Sequence, residues 1–221
     1  MFASVGTTEA TAQLNLYLSA RNLYSGMFFP AMGNHECTGA TNSNCGTSGS
    51  GMTTNYNAFM SQLLGPIGKT KPYYSININD INGAWTSKFV FIAANAWDST
   101  QASWLSSTMS QPTTYTFVIR HEPKAVGSGA PGVSPSEAIM AQYPYTLAIM
   151  GHTHTYNKWL APKQIVIGNG GAPLTGGVNY GYGLVTQRSD GAIVVDMIDY
   201  QSGATDPSFH FVVTPTGTLT Q

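Results

Sequence analysis

Tyr145-Thr146-Leu147-Ala148-Ile149-Met150-Gly151-His152-Thr153-His154 sets a short apolar run directly against a glycine and two histidines one residue apart. The run has strand length, and the glycine marks where it should leave the core. Two other stretches repeat the arrangement. Met27-Phe28-Phe29-Pro30-Ala31-Met32 leads into Gly33-Asn34-His35-Glu36, and Tyr115–Arg120 leads into His121-Glu122-Pro123. Four of the five histidines lie in these three segments. In an α/β domain, loops at one edge of the sheet gather residues that are distant in sequence. Imidazole nitrogens and an amide oxygen are competent ligands for Zn, Fe or Mn. A glycine before the ligand lets the backbone turn sharply and come close to the ion. One histidine after one strand is more often a hydrogen-bonded structural residue. Three such segments in order, holding four of five histidines, are hard to assign to chance.

Outward from these segments the pattern is α/β. Ala10, Leu14, Tyr17 and Leu18 recur at helical spacing, which predicts a helix over Thr8–Tyr24. Met27–Met32 then reads as a short buried strand ending at Gly33, and Thr38–Thr54 as a loop rich in Gly, Ser, Thr and Asn. A helix over Asn55–Leu64 stops at Gly65-Pro66, and strands Tyr73–Asn79 and Lys88–Ala94 flank Asn82-Gly83, a hairpin signal. A helix over Thr100–Met109 precedes the strand Tyr115–Arg120, and one over Pro135–Gln142 precedes the strand Tyr145–Met150. From Asn157 onward strands dominate: Gln164–Ile167, Gly183–Gln187, Ala192–Ile198 and Phe209–Thr214. The expected fold is one domain over residues 1–221, with two packed mixed β-sheets flanked by helices. Gly168–Gly177 fits neither dinucleotide nor P-loop spacing and reads as tight turns.

Composition narrows the functions. The chain is 42% hydrophobic, which excludes a disordered protein, and only 9% charged, against about 25% in a typical domain. Ser, Thr, Asn, Gln and Gly must therefore cover the surface, as is common in secreted proteins. A net charge of −1 without any Lys/Arg run offers nothing to nucleic acid or an anionic membrane. The longest apolar run, Phe89–Ala94, is far too short to span a bilayer. Cys37 and Cys45 enclose a Gly/Thr/Asn/Ser loop with little else to hold its shape. A disulfide there stabilises by roughly 2–3 kcal/mol in the chain-entropy model, and it implies an oxidising, secreted or periplasmic location. The alternative is a pair of free thiols in a reducing compartment. Met1-Phe2-Ala3-Ser4 lacks the charged and apolar regions of a signal peptide.

Gly33-Asn34-His35-Glu36, then a strand ending in His121, then Gly151-His152-Thr153-His154, resemble the last three of the five motifs of calcineurin-like metallophosphoesterases, with the purple acid phosphatases as the most similar branch. The resemblance extends from about Thr8 to about Gly191. It implies an α/β/β/α sandwich and hydrolysis of a small phosphate ester, with two ions of Fe, Zn or Mn stabilising the attacking and departing oxygens. By the same resemblance Asn34, His121 and His152 hold one ion, and His154 belongs to the second. His35 faces the substrate phosphate and supplies a hydrogen bond or a proton to the leaving oxygen. Glu36 is expected to orient His35.

The chain departs from that family in its carboxylates. The family's first two motifs supply an aspartate shared by both ions and most ligands of the second. Asp80, Asp98, Asp190, Asp196, Asp199 and Asp206 all follow Asn34, and none sits in Gly-Asp. The sequence therefore reads as a domain whose first strands are missing, starting almost directly after the second motif. Such a chain is expected to bind at most one ion, weakly, through Asn34, His121 and His152, with little or no turnover. Glu122 reads as a spacer between His121 and Pro123. The other class open to this sequence is a non-catalytic, secreted phosphatase-like binding or structural module. A serine hydrolase has no support, because no Gly-x-Ser-x-Gly occurs.

Overall fold

A computed structural model describes residues 7–45, 53–124, 129–161 and 163–220. Met1–Ser4 and residues 46–52 of the Thr38–Thr54 loop lie outside the described residues. Helix α1 spans Thr7–Arg21, the single turn α2 Asn34–Cys37, and α3 Thr54–Phe59. Strands β1 (Tyr74–Asn79) and β2 (Thr86–Ile92) form an antiparallel hairpin, and Gly83 in its turn has φ +75. That backbone region favours glycine, so the Asn82-Gly83 signal has a steric basis. Helix α4 (Ser99–Ser110) leads to β3 (Tyr115–Arg120), and α5 (Val133–Met140) to β4 (Leu147–Met150). β5 (Tyr156–Ala161) and β6 (Gln164–Ile167) complete a six-stranded sheet of order β1-β2-β3-β4-β6-β5. β7 (Gly181–Gln187), β8 (Ile193–Asp199) and β9 (Thr205–Val213) form a second sheet.

The period-two alternation of the parallel strands builds the layers. Val90, Ile92, Val118, Ala148 and Met150 pack against Leu105 and Met109 of α4 and Met140 of α5. The alternate residues Phe117, Leu147 and Ile165 meet Val195, Met197, Phe209 and Phe211 of the second sheet. A third cluster joins Leu14 of α1, Met32 and Phe59 of α3 to Tyr74 and Phe91. The domain is thus mixed α/β with helices flanking two sheets.

Four expectations need correction. The second sheet is antiparallel throughout, so only the first is mixed. Met27–Met32 joins neither sheet. It runs as a covering segment, with Tyr74 Oη donating to the Pro30 carbonyl at 2.7 Å and the Phe29 ring against Phe91. Pro30 has no N–H to give a ladder, and only Pro30 and Met32 of the segment are buried, with Met27 exposed. The Asn55–Leu64 helix gives way to a π-helical turn at Met60–Leu64 and a 3-10 turn at Gly65–Ile67. Strand β5 has no counterpart in the sequence reading.

Cys37 and Cys45 are disulfide-bonded, with Cα atoms 5.5 Å apart. The bridge is not the loop's only support. Asn95 Nδ2 donates to the carbonyls of Ala40, Thr41 and Ser43, and Cys45 N–H donates to the Asn95 carbonyl at 2.8 Å. The double substitution Cys37→Ser/Cys45→Ser is therefore expected to lower stability by roughly 2–3 kcal/mol while the loop keeps its path. Urea unfolding gives the loss, and unchanged near-ultraviolet dichroism reports the retained packing. No helix among the described residues is long and apolar enough to cross a membrane.

Candidate metal centre

The parallel register brings three strand ends to one edge: Ile92 pairs with Arg120, and Ile119 with Ile149. His121 follows β3 by one residue, and Gly151-His152 follows β4 directly. Gly151 N–H donates to the His121 carbonyl at 2.9 Å, which ties the two loops together. The α2 turn delivers Asn34 to the same place. Asn55 Nδ2 holds this turn from outside by donating to the His35 carbonyl at 2.9 Å.

Gly33 has an ordinary extended conformation, φ −120, so its role is not a left-handed turn. A Cβ there would lie 2.7 Å from the His121 ring. Glycine is needed because the backbone passes against the imidazole.

Asn34 Nδ2 donates to the Gly39 carbonyl at 3.2 Å, which turns Oδ1 towards the site. That oxygen lies 3.0 Å from His121 Nε2, and His152 Nδ1 lies 3.3 Å from the same nitrogen. Ligands of one ion at about 2.0–2.2 Å stand roughly 3–3.5 Å from one another. Both separations are of that size. The two imidazoles meet edge to face, at 82°. Burial pushes His121 down to about 4, against a small pull from Glu36. Burial also lowers His152 and His35, and nearby histidine charges add to it. For the two ligand candidates, His121 and His152, these shifts favour the neutral form that ligates.

His152 and His154 have φ 70 and φ 49. Non-glycine residues in this region carry local strain, which collects at functional sites. His154 Nδ1 lies 3.0 Å from the Pro173 carbonyl, which only accepts, so Nδ1 is the donor and Nε2 keeps its lone pair. The turn is braced by the Gly168–Gly177 segment. Thr175 N–H donates to the His154 carbonyl and Thr175 Oγ1 to that of Thr153, and a Cβ on Gly168 would lie 3.2 Å from His154 N. The segment read from sequence as plain turns thus buttresses the histidine pair.

No hydrogen bond between Glu36 and His35 is found among the described residues. Glu36 Oε2 accepts the Gly33 N–H at 3.0 Å, which closes the start of α2, and His35 Nδ1 is buried with no hydrogen bond from a described residue. Glu122, read as a spacer, is the residue the sequence reading missed. It is 2% exposed, and neither carboxylate oxygen has a hydrogen-bond partner among the described residues. Burial pushes its acid up to about 7, against the pull of backbone hydrogen bonding and Arg120. One ligand atom from each of His121, Glu122 and His152 lies within 4.8 Å of the other two. Among the described residues no other group of three histidine, cysteine or acidic side chains can hold an ion.

The aspartates are engaged elsewhere. Asp98 caps α4 through Gln101 N–H at 2.7 Å, and Asp196 pairs with His210 at 2.7 Å on the second sheet. Asp80, Asp190 and Asp199 accept hydrogen bonds at turns, and Asp206, at the start of β9, accepts the Ser208 N–H. His210, the fifth histidine, is accordingly remote in role from the other four. No family model matches the chain, and no curated protein matches it either.

Proposed function

We propose that this chain carries a metal-dependent phosphoric ester hydrolase site of the metallophosphoesterase type, similar to that of purple acid phosphatases. The observation that supports this reading is the approach of Asn34 Oδ1 and His152 Nδ1 to His121 Nε2, at 3.0 and 3.3 Å. These three residues would hold the ion, and the nitrogen-rich set with one amide oxygen suits Zn, Fe or Mn. When bound, the ion supplies Lewis-acid stabilisation of charge on the phosphoryl oxygens.

The side chains around it do the rest. Asn34 is aimed by Gly39, and His121 is wedged against Gly33. His35, next to Asn34 on α2, would donate a hydrogen bond to the leaving oxygen of a small phosphate ester. His154 presents the Nε2 lone pair, which can accept a hydrogen bond from a protonated phosphate oxygen while Nδ1 donates to the Pro173 carbonyl. A second ion is not supported: among the described residues His154 brings no carboxylate with it, and one ligand does not make a stable site.

The test is hydrolysis of p-nitrophenyl phosphate with added Zn²⁺, Mn²⁺ or Fe²⁺, after metal analysis. One ion per chain is expected, with turnover far below the ~1–10³ s⁻¹ of ordinary enzymes but dependent on the ion and lost in His35→Asn. An ion bound without any ion-dependent turnover would favour the second reading, a secreted non-catalytic module that binds phosphate esters through one metal. The single-ion ligand set is what gives that reading its weight.

A further inference from the structure

We infer that Glu122 is the charged ligand of this metal centre, so that Asn34, His121, His152 and a carboxylate share one divalent transition-metal ion. The inference rests on the metal-binding reading above and changes what the chain itself can do. Three neutral ligands leave the full charge of the ion uncompensated in a half-buried site. A carboxylate halves it and adds a fourth donor.

Glu122 is placed for this by three observations. One of its carboxylate oxygens lies within 4.8 Å of a ring nitrogen of both His121 and His152. It is 2% exposed and both oxygens lack a hydrogen bond among the described residues. About nine in ten buried polar groups in native proteins are satisfied, and an ionised carboxylate is among the costliest groups to bury alone. The nearby cation is already committed. Arg120 directs Nε to the Glu122 backbone carbonyl at 2.8 Å, one terminal nitrogen to Ser136 Oγ at 2.8 Å, and the other to Glu137 at 2.6 Å. Arg120 therefore pins the backbone of Glu122 and leaves the carboxylate without a partner.

What the carboxylate lacks is a cation, and the ion shared with its two histidine neighbours is in reach. Two imidazoles with one carboxylate on one side of an ion leave positions open for a phosphate oxygen or water, a set suited to Fe²⁺, Zn²⁺ or Mn²⁺. The aspartate that the sequence lacks is then not the only way to bring negative charge to this site.

The test uses the full 221-residue chain and Zn²⁺ alone, measured by competition with a chromophoric chelator. Glu122→Gln and Glu122→Met are compared with the native chain and with His152→Ala. Thermal unfolding is measured in parallel with excess EDTA. Both Glu122 variants are expected to lose at least about a hundredfold in Zn²⁺ affinity, the upper range for residues that merely support ligands. In EDTA the same variants should melt at or above the native temperature, because a buried, unpartnered carboxylate has been removed.

Zn²⁺ affinity indistinguishable from native in either folded variant would overturn the inference. So would a lowered melting temperature in EDTA for both variants, which would reveal a protein partner for the carboxylate. If only one variant folds, that one decides. Failure of the wider reading looks different: the native chain and His152→Ala would then bind Zn²⁺ equally poorly, whatever stands at position 122.

Discussion

Glu137→Leu is expected to destabilise the fold by about 3–5 kcal/mol, the usual cost of stranding one member of a buried ion pair. Arg120 is 1% exposed and its guanidinium meets the Glu137 carboxylate at 2.6 Å. Arginine cannot shed its proton in a protein, so without Glu137 a full charge stays inside the layer between β3 and α5. Gln164 Nε2, which donates to the same Glu137 oxygen at 2.8 Å, would lose its acceptor too. Since domains are stable by only about 5–15 kcal/mol, the variant should sit near its unfolding threshold at ambient temperature.

The double variant Arg120→Met/Glu137→Leu separates charge from shape. Replacing both members with apolar groups of similar size removes the stranded charge, and most of the loss should return. The measurement is urea unfolding of the native chain, Arg120→Met, Glu137→Leu and the double variant. A single variant as stable as the native chain would mean that the pair is not buried as the structure has it. Recovery of stability need not restore the site, because Arg120 also fixes the Glu122 carbonyl at the edge of β3.

His121→Ala is expected to remove metal binding by more than the ~10–100-fold that loss of a supporting residue costs, and all ion-dependent ester hydrolysis with it. His121 Nε2 is the atom that Asn34 Oδ1 and His152 Nδ1 both approach. Without it the other two have no common point, and the space beside Gly33 opens to water. His210→Gln is the control. His210 alternates with Phe209 and Phe211 on β9, faces away from the core and pairs with Asp196, so its loss should leave the ion bound. Isothermal titration with Zn²⁺ distinguishes the two, and equal losses would show that the histidines have been assigned to the wrong roles.

Sequence alone delivered the elements whose evidence is local. β3 was read residue for residue, because a strand buried on both faces leaves a largely apolar record, here Tyr115 and Phe117–Ile119. The β1–β2 hairpin was legible from alternation around Asn82-Gly83, and α4 from its helical stretch, which the structure extends to start at Ser99 behind the Asp98 cap. The residue types able to ligate an ion were legible too, because histidine stands just past apolar runs at His35, His121 and His152, behind a glycine in the first and third. Met27–Met32 misled for a related reason. Apolar residues record burial, whereas pairing depends on whether a neighbouring strand has a free edge, and Pro30 left the segment packed on Tyr74 and Phe91 instead. β5 was hidden because Asn157 and Lys158 are exposed at the sheet edge and break the alternation.

The site itself was decided by tertiary structure. Periodicity states which side of a strand faces the core, but which atoms converge depends on strand order, on register and on the turns beyond the strands. The parallel register of β2, β3 and β4 sets His121 beside Gly151, and the left-handed backbone at His152 and His154 turns their rings. Gly33 is required by a ring that lies 88 residues further along the chain. Glu122 looked like a spacer because a carboxylate one residue from a histidine carries no signal of its own. Burial without a hydrogen bond is what singles it out, and burial is a property of the packed layers of β3 and α5 that no local stretch of the sequence contains.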